Sequence, residues 1–185
     1  MNTKEKILKT AVRHFSKGYE NTSLEEIARE LDITKPAIYY HFKNKNVLYN
    51  EIFLQKFKEF DFEFKNNLEE DISNYIDTLF EFFKCKDDGF AKIFLLELSS
   101  GFENLTDDTK KVVSVLLKTL TKILKSTGVN PLFIQTTIIS SILMYKNTFK
   151  ARENILKIIG EEVEKDFNLK EELKTMILNY LKAKR

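Results

Sequence analysis

Apolar residues recur at three- and four-residue intervals along nearly the whole chain, which is the signature of amphipathic helices. Ile7, Leu8, Ala11, Val12 and Phe15 define a first helix over 4–16, ended by Lys17-Gly18. Thr22 or Ser23 caps a second, 24–31, with Glu25 and Glu26 in the first turn, where acidic groups suit the helix dipole. Thr34 caps a very short third helix, and Asn44 caps a long fourth running from Lys45 into Phe64. Longer helices follow over 68–84, 88–100, 107–126, 131–150 and 169–183, with a further one near 152–164. Asn130-Pro131 reads as a cap followed by proline at the first helical position, and Asn168 with Glu171 as a capping box. Two prolines and five glycines punctuate the chain, and strand-like alternation does not persist. The pattern predicts an all-α protein of about nine helices in two parts, short helices over 1–46 and long helices over 47–185.

The stretch ITKPAIYYHFKNK, residues 33–45, departs from the ordinary pattern. On a helical wheel Ile38 and Phe42 fall together with His41 on their flank, forming the buried side. Pro36, Tyr39 and Tyr40 gather opposite, with Lys35 at the edge. Such a face is costly unless a partner covers it. Ile27, Ala28 and Leu31 supply a matching apolar face on the preceding helix, and only Asp32-Ile33-Thr34 connects the two. That is the layout of a helix-turn-helix, whose second helix enters the DNA major groove. Tyrosine and threonine hydroxyls and lysine ammonium groups donate to phosphate oxygens, while Pro36 and the tyrosine rings offer apolar contact to a thymine methyl. Lys45, beside the N-terminus of the fourth helix, suits another phosphate. The bland alternative is that Tyr39 and Tyr40 pack against the following domain.

Charge sharpens this picture. Residues 1–48 hold nine Lys/Arg against six Asp/Glu, and the remainder twenty-one against twenty-two, so the small excess of +2 lies wholly in the first part. The single cysteine, Cys85, permits no intrachain disulfide framework and points to a reducing cytoplasm and an inert core thiol. The uncharged run Ser126–Tyr145 contains Gly128, Asn130 and Pro131, which argues against a membrane span.

The run GYENTSLEEIARELDITKPAIYYHFKNKNVL resembles the N-terminal domain of the TetR (tetracycline-repressor) family of bacterial transcription regulators. The matching features are Gly18-Tyr19, Thr22-Ser23, Ile27-Ala28, Ile33-Thr34, Ile38-Tyr39, His41-Phe42 and Lys45 with Leu48. The resemblance covers about the first fifty residues. It implies a homodimer that binds a palindromic double-stranded DNA operator and senses a small molecule through its C-terminal part. Carried onto this chain, it makes Ser23, Thr34, Lys35, Pro36, Tyr39, Tyr40, His41 and Lys45 the expected DNA contacts. Asp32 stands where the family often has glycine, and aspartate tolerates the left-handed conformation better than most residues.

Other features are weighed against simpler readings. Both histidines, His14 and His41, precede residue 46, so a zinc site farther on is not expected, and His14 reads as a packing histidine. Fourteen of the sixteen phenylalanines follow residue 46. Phe57, Phe60, Phe64 and Phe94 make a core, or else line an apolar ligand cavity between long helices. Glu97 projects onto an apolar face and needs either an internal lysine, arginine or tyrosine, or a cationic or hydroxylated ligand. Ligand-binding residues are therefore expected at Phe57, Phe60, Phe64, Phe94 and Glu97, for a bulky, largely apolar effector. A ligand among these rings would tilt the fourth helix and move Tyr39 and Tyr40. The charge-free helix 131–150 suggests cover by a second subunit, through Ile134, Ile138 and Ile142 with Leu173, Ile177 and Tyr180 of the last helix. No nucleophile–base pair, phosphate loop or metal-spaced cluster suggests an enzyme, a cofactor or a metal. The leading expectation is a ligand-responsive repressor; an effector-free, architectural DNA-binding dimer is the alternative.

Overall fold

The computed structural model describes residues 2–83, 89–160 and 167–184, and in them every regular element is a helix. In chain order these are α1 (Thr3–Phe15), α2 (Leu24–Glu30), α3 (Lys35–His41), α4 (Lys45–Phe57), α5 (Leu68–Phe82), α6 (Phe90–Ser99), α7 (Asp107–Val113), α8 (Val115–Ile123), α9 (Pro131–Asn147), α10 (Phe149–Ile159) and α11 (Leu169–Ala183). Packing groups them into two units, Met1–Phe60 with Cys85–Val115, and Asp61–Lys84 with Leu116–Arg185. In this grouping α4 packs on α1 and α7. Cys85 lies outside the described residues, as does the end of the helix expected near 152–164.

In the first unit α1 meets α2, α4 and α6, and α2 meets α3. Ile7, Ala11, Phe15, Ile27, Ile38, Leu48 and Phe53 are fully buried there. His14 is also buried, with Nε2 at 2.8 Å from Glu30 Oε2, which ties α1 to α2 as a packing histidine does. Gly89, at φ +79, precedes α6, and a Cβ there would come within 2.9 Å of the Ser16 Cβ. Glycine is therefore required twice over, by conformation and by space.

The expected long fourth helix stops at Phe57. Amides of Lys58, Glu59 and Phe60 donate to the third carbonyl back, the tightened pattern of a helix end. The next residues, Phe60–Lys65, are not helical, and Phe60, Phe62 and Phe64 are half-buried while Asp61, Glu63 and Lys65 are exposed. The stretch FDFEFK thus carries a period of two, a signal masked by phenylalanines that also fit a period near four.

In the second unit α5, α9 and α11 pack together around Ile72, Ile76, Leu79, Ile134, Ile138, Ile142, Leu173 and Ile177. The Tyr75 hydroxyl donates within this core to the Gln135 side chain at 2.6 Å. The expected helix 107–126 is two helices, α7 closed by Ser114, whose hydroxyl donates to the Lys111 carbonyl at 2.6 Å, and α8. Such back-bonding competes with the helical ladder. Ile134, Ile138, Ile142, Leu173 and Ile177, expected at an interface, are buried within the chain itself. Tyr180 is half-buried, its ring 5.3 Å from that of Phe133.

Candidate nucleic-acid interface

The α2–α3 connection is fixed by local chemistry. Asp32 adopts φ 52, the left-handed conformation. Its amide donates to the Arg29 carbonyl and the Ile33 amide to the Ala28 carbonyl, which closes α2 as a Schellman motif. Thr34 then caps α3, its hydroxyl accepting from the Ala37 amide at 3.3 Å, with Pro36 in the first turn. These bonds turn Ile38 and Phe42 into the core and leave Thr34, Pro36, Tyr39 and Tyr40 exposed, Tyr40 by 86%. A tyrosine so fully in solvent does not pack against another part of its own chain, so the bland reading of Tyr40 fails.

Lys35 is half-buried, its Nζ 5.6 Å from the Tyr39 ring centroid and ion-paired with Glu25. Ser23 caps α2 and donates its hydroxyl to Glu25 Oε2 at 2.8 Å. These two bonds, Lys35 first, lower the Glu25 carboxyl from 4.5 to about 2, and Glu25 raises the Lys35 ammonium in return. His41 is half-buried with its ring edge-on to Tyr40 at 5.1 Å. Lys45 lies 4.3 Å above the Tyr19 ring, next to the start of α4, where Asn44 accepts from the Val47 amide. The structure therefore gathers Thr34, Lys35, Pro36, Tyr39, Tyr40 and His41 on one short helix and its cap. Glu25 has only a dipole role and Tyr19 only a place in a turn when read from the sequence; the spacing of Glu25 two residues after a serine cap is the signal for its bond to Ser23.

The residues expected to bind a ligand are not all together. Phe57 and Phe94 are buried, with ring centroids 6.3 Å apart, and pack with Phe53 and Phe90 in the first unit. Phe60 is half-buried in that unit, whereas Phe64 belongs to the second, where Lys122 stands 3.9 Å above its ring. Glu97 is only 1% exposed, and its Oε1 accepts from the Tyr49 hydroxyl at 2.7 Å and the Asn104 amide at 2.9 Å. The internal partner is thus a tyrosine. Oε2 is buried without a hydrogen bond. Burial, then the bond to Glu97, pushes the Tyr49 phenol above its ordinary range. Among the described residues no helix is long and apolar enough to cross a membrane.

A helix-turn-helix sets its second helix for a DNA major groove, and here that helix presents exposed tyrosines and a threonine hydroxyl with a lysine at its edge. Residues 7–52 match the family model of bacterial regulatory proteins, tetR family. It is 32% identical over 120 residues to the biofilm operon icaADBC HTH-type negative transcriptional regulator IcaR of Staphylococcus epidermidis, covering 63% of this chain and 64% of that one. It is 39% identical over 57 residues to a probable acrEF/envCD operon repressor of Escherichia coli, covering 30% and 26%. The chain therefore spans less than two-thirds of the length of either relative. Among solved structures, the fold resembles FadR from Bacillus subtilis in complex with stearoyl-CoA, with a TM-score of 0.64, 19% identity and 96% of each chain covered. It also resembles BioQ with its double-stranded DNA operator, with a TM-score of 0.60, 19% identity and 99% of each chain covered.

Proposed function

We propose that this protein is a transcriptional repressor that binds palindromic operator DNA as a homodimer and releases it when a bulky, largely apolar small molecule binds. The observation that carries the reading is the face of α3, where Tyr40, Tyr39, Pro36 and Thr34 are exposed while Ile38 between them is fully buried. Relatives named as a negative transcriptional regulator and an operon repressor support the direction of control. The cluster of Phe53, Phe57, Phe90 and Phe94 beside the unpartnered Glu97 oxygen supports an effector with a large apolar body and one donor group. A neighbour in fold that holds stearoyl-CoA supports the same class.

The dimer contact belongs on the outward face of α9 and α11. Leu132, Phe133 and Met144 of α9 and Met176 of α11 are exposed, and Tyr180 joins them through its contact with Phe133. Selection of bound sequences from random duplexes tests the core of the proposal. A two-fold symmetric consensus, protected in footprints and lost with Tyr40→Ala, is expected; an unenriched pool refutes operator binding. Release of that duplex by long-chain acyl compounds, and its absence in Phe94→Ala, separates the repressor from an effector-free architectural protein.

A further inference from the structure

Two of the expected DNA contacts are held by one carboxylate. Glu25, whose side chain is 61% exposed, takes the Ser23 hydroxyl at 2.8 Å and the Lys35 ammonium in an ion pair. A negative charge therefore lies against Lys35 and Ser23, two expected phosphate donors, where it repels the duplex backbone and withholds a lysine from it. Stability does not account for this arrangement, because an exposed ion pair contributes little. Nor does the helix dipole, which Glu26 in the same turn serves equally, its carboxylate directed to His14 Nδ1 at 3.8 Å.

We propose that Glu25 is a specificity residue, which keeps Lys35 and Ser23 from phosphates of arbitrary sequence and is compensated only where a cytosine amino group in the major groove donates to it. Glutamate accepting from cytosine N4 is the pairing its geometry allows at a base edge. Loss of the carboxylate then releases Lys35 to any phosphate. The inference rests on the DNA-reading role of α3 proposed above.

The test uses the full chain with Glu25→Gln and, as a charge-matched control, Glu26→Gln. Anisotropy is measured on a duplex selected by the wild type and on a scrambled duplex of equal length, over a salt series. Glu25→Gln is expected to bind the scrambled duplex about tenfold more tightly at low salt, with a log–log salt slope steeper by about 0.9, the increment of one added phosphate contact. It should gain less on the selected duplex, and its own selected pool should lose a cytosine preference in each half-site. Glu26→Gln should leave the ratio of the two affinities unchanged. The inference is overturned if Glu25→Gln shows no gain on scrambled DNA, if Glu26→Gln matches it, or if the selected pools coincide. Failure of the wild type to bind any duplex would instead remove the DNA-reading role itself, a result distinct from equal behaviour of the variants.

Discussion

At Asp32 a single backbone angle decides how the reading helix is presented. A left-handed residue with a Cβ is strained relative to glycine, so Asp32→Gly is expected to be neutral or to stabilise by up to about 1 kcal/mol. Asp32→Val should destabilise, since a β-branched residue resists that conformation; thermal melts compare the two. Glu25 makes a different prediction. Its folded pKa of about 2 lies below the ordinary 4.5, so its contribution is present above 4.5 and is lost as pH falls toward 2. A carbon-detected NMR titration of the Glu25 carboxyl should show that low midpoint, and Lys35→Ala should return it toward 4.5. The tie between α2 and α3 thus persists throughout the neutral range, which is what a specificity device requires.

At the scale of elements, α4 is secured where it begins. The Asn50 amide donates to the Asn46 and Asn104 carbonyls, while its own oxygen accepts from the Thr106 amide at 2.8 Å. Asn46 donates to the same Asn104 carbonyl at 2.9 Å, and Asn104 in turn reaches Glu97. Asn50→Leu takes the acceptor from the Thr106 amide and one of two donors from the Asn104 carbonyl, and a loss of about 1–2 kcal/mol in denaturant unfolding is expected. Most helices were legible because their caps are local. Ser23, Thr34, Asn44 and Asn130 cap as their spacing implies, and Asn168 accepts from the Glu171 amide as the first half of the expected box. The end of α4 was not legible, since Phe57, Phe60 and Phe64 satisfy a helical period while Phe60, Phe62 and Phe64 satisfy an extended one. Nor could a wheel foresee the Asn46–Asn50–Asn104 bonds, which join residues more than fifty positions apart. The exposed face of α3 was readable because burial of Ile38 alone fixes where Tyr39 and Tyr40 point.

At the scale of the whole molecule the proposed homodimer turns on which apolar surface a second copy would cover. Helix periodicity tells which residues share a face but not whether that face meets its own subunit or another, and this is why Ile138 and Ile142 invited an interface reading. Their complete burial assigns that face to the subunit's own core, so a charge there acts on folding. Ile138→Glu should cost more than about 4 kcal/mol and yield unfolded or aggregated protein, since an ionised carboxylate in that core has no partner. Phe133, Met144 and Met176 differ because each is about half exposed in the single chain, at 51%, 49% and 48%. Met144→Glu or Phe133→Glu should therefore leave helicity and melting of the subunit nearly intact while producing a monomer in light scattering at micromolar concentration. Because a palindrome is read by two helices about 34–36 Å apart, the monomer should lose palindrome binding yet keep weak, salt-sensitive binding to a single half-site. A variant that stays dimeric with glutamate at both positions would place the contact on another surface, and the exposed Phe149, Ile155, Ile158 and Ile159 of α10 would be the next to change.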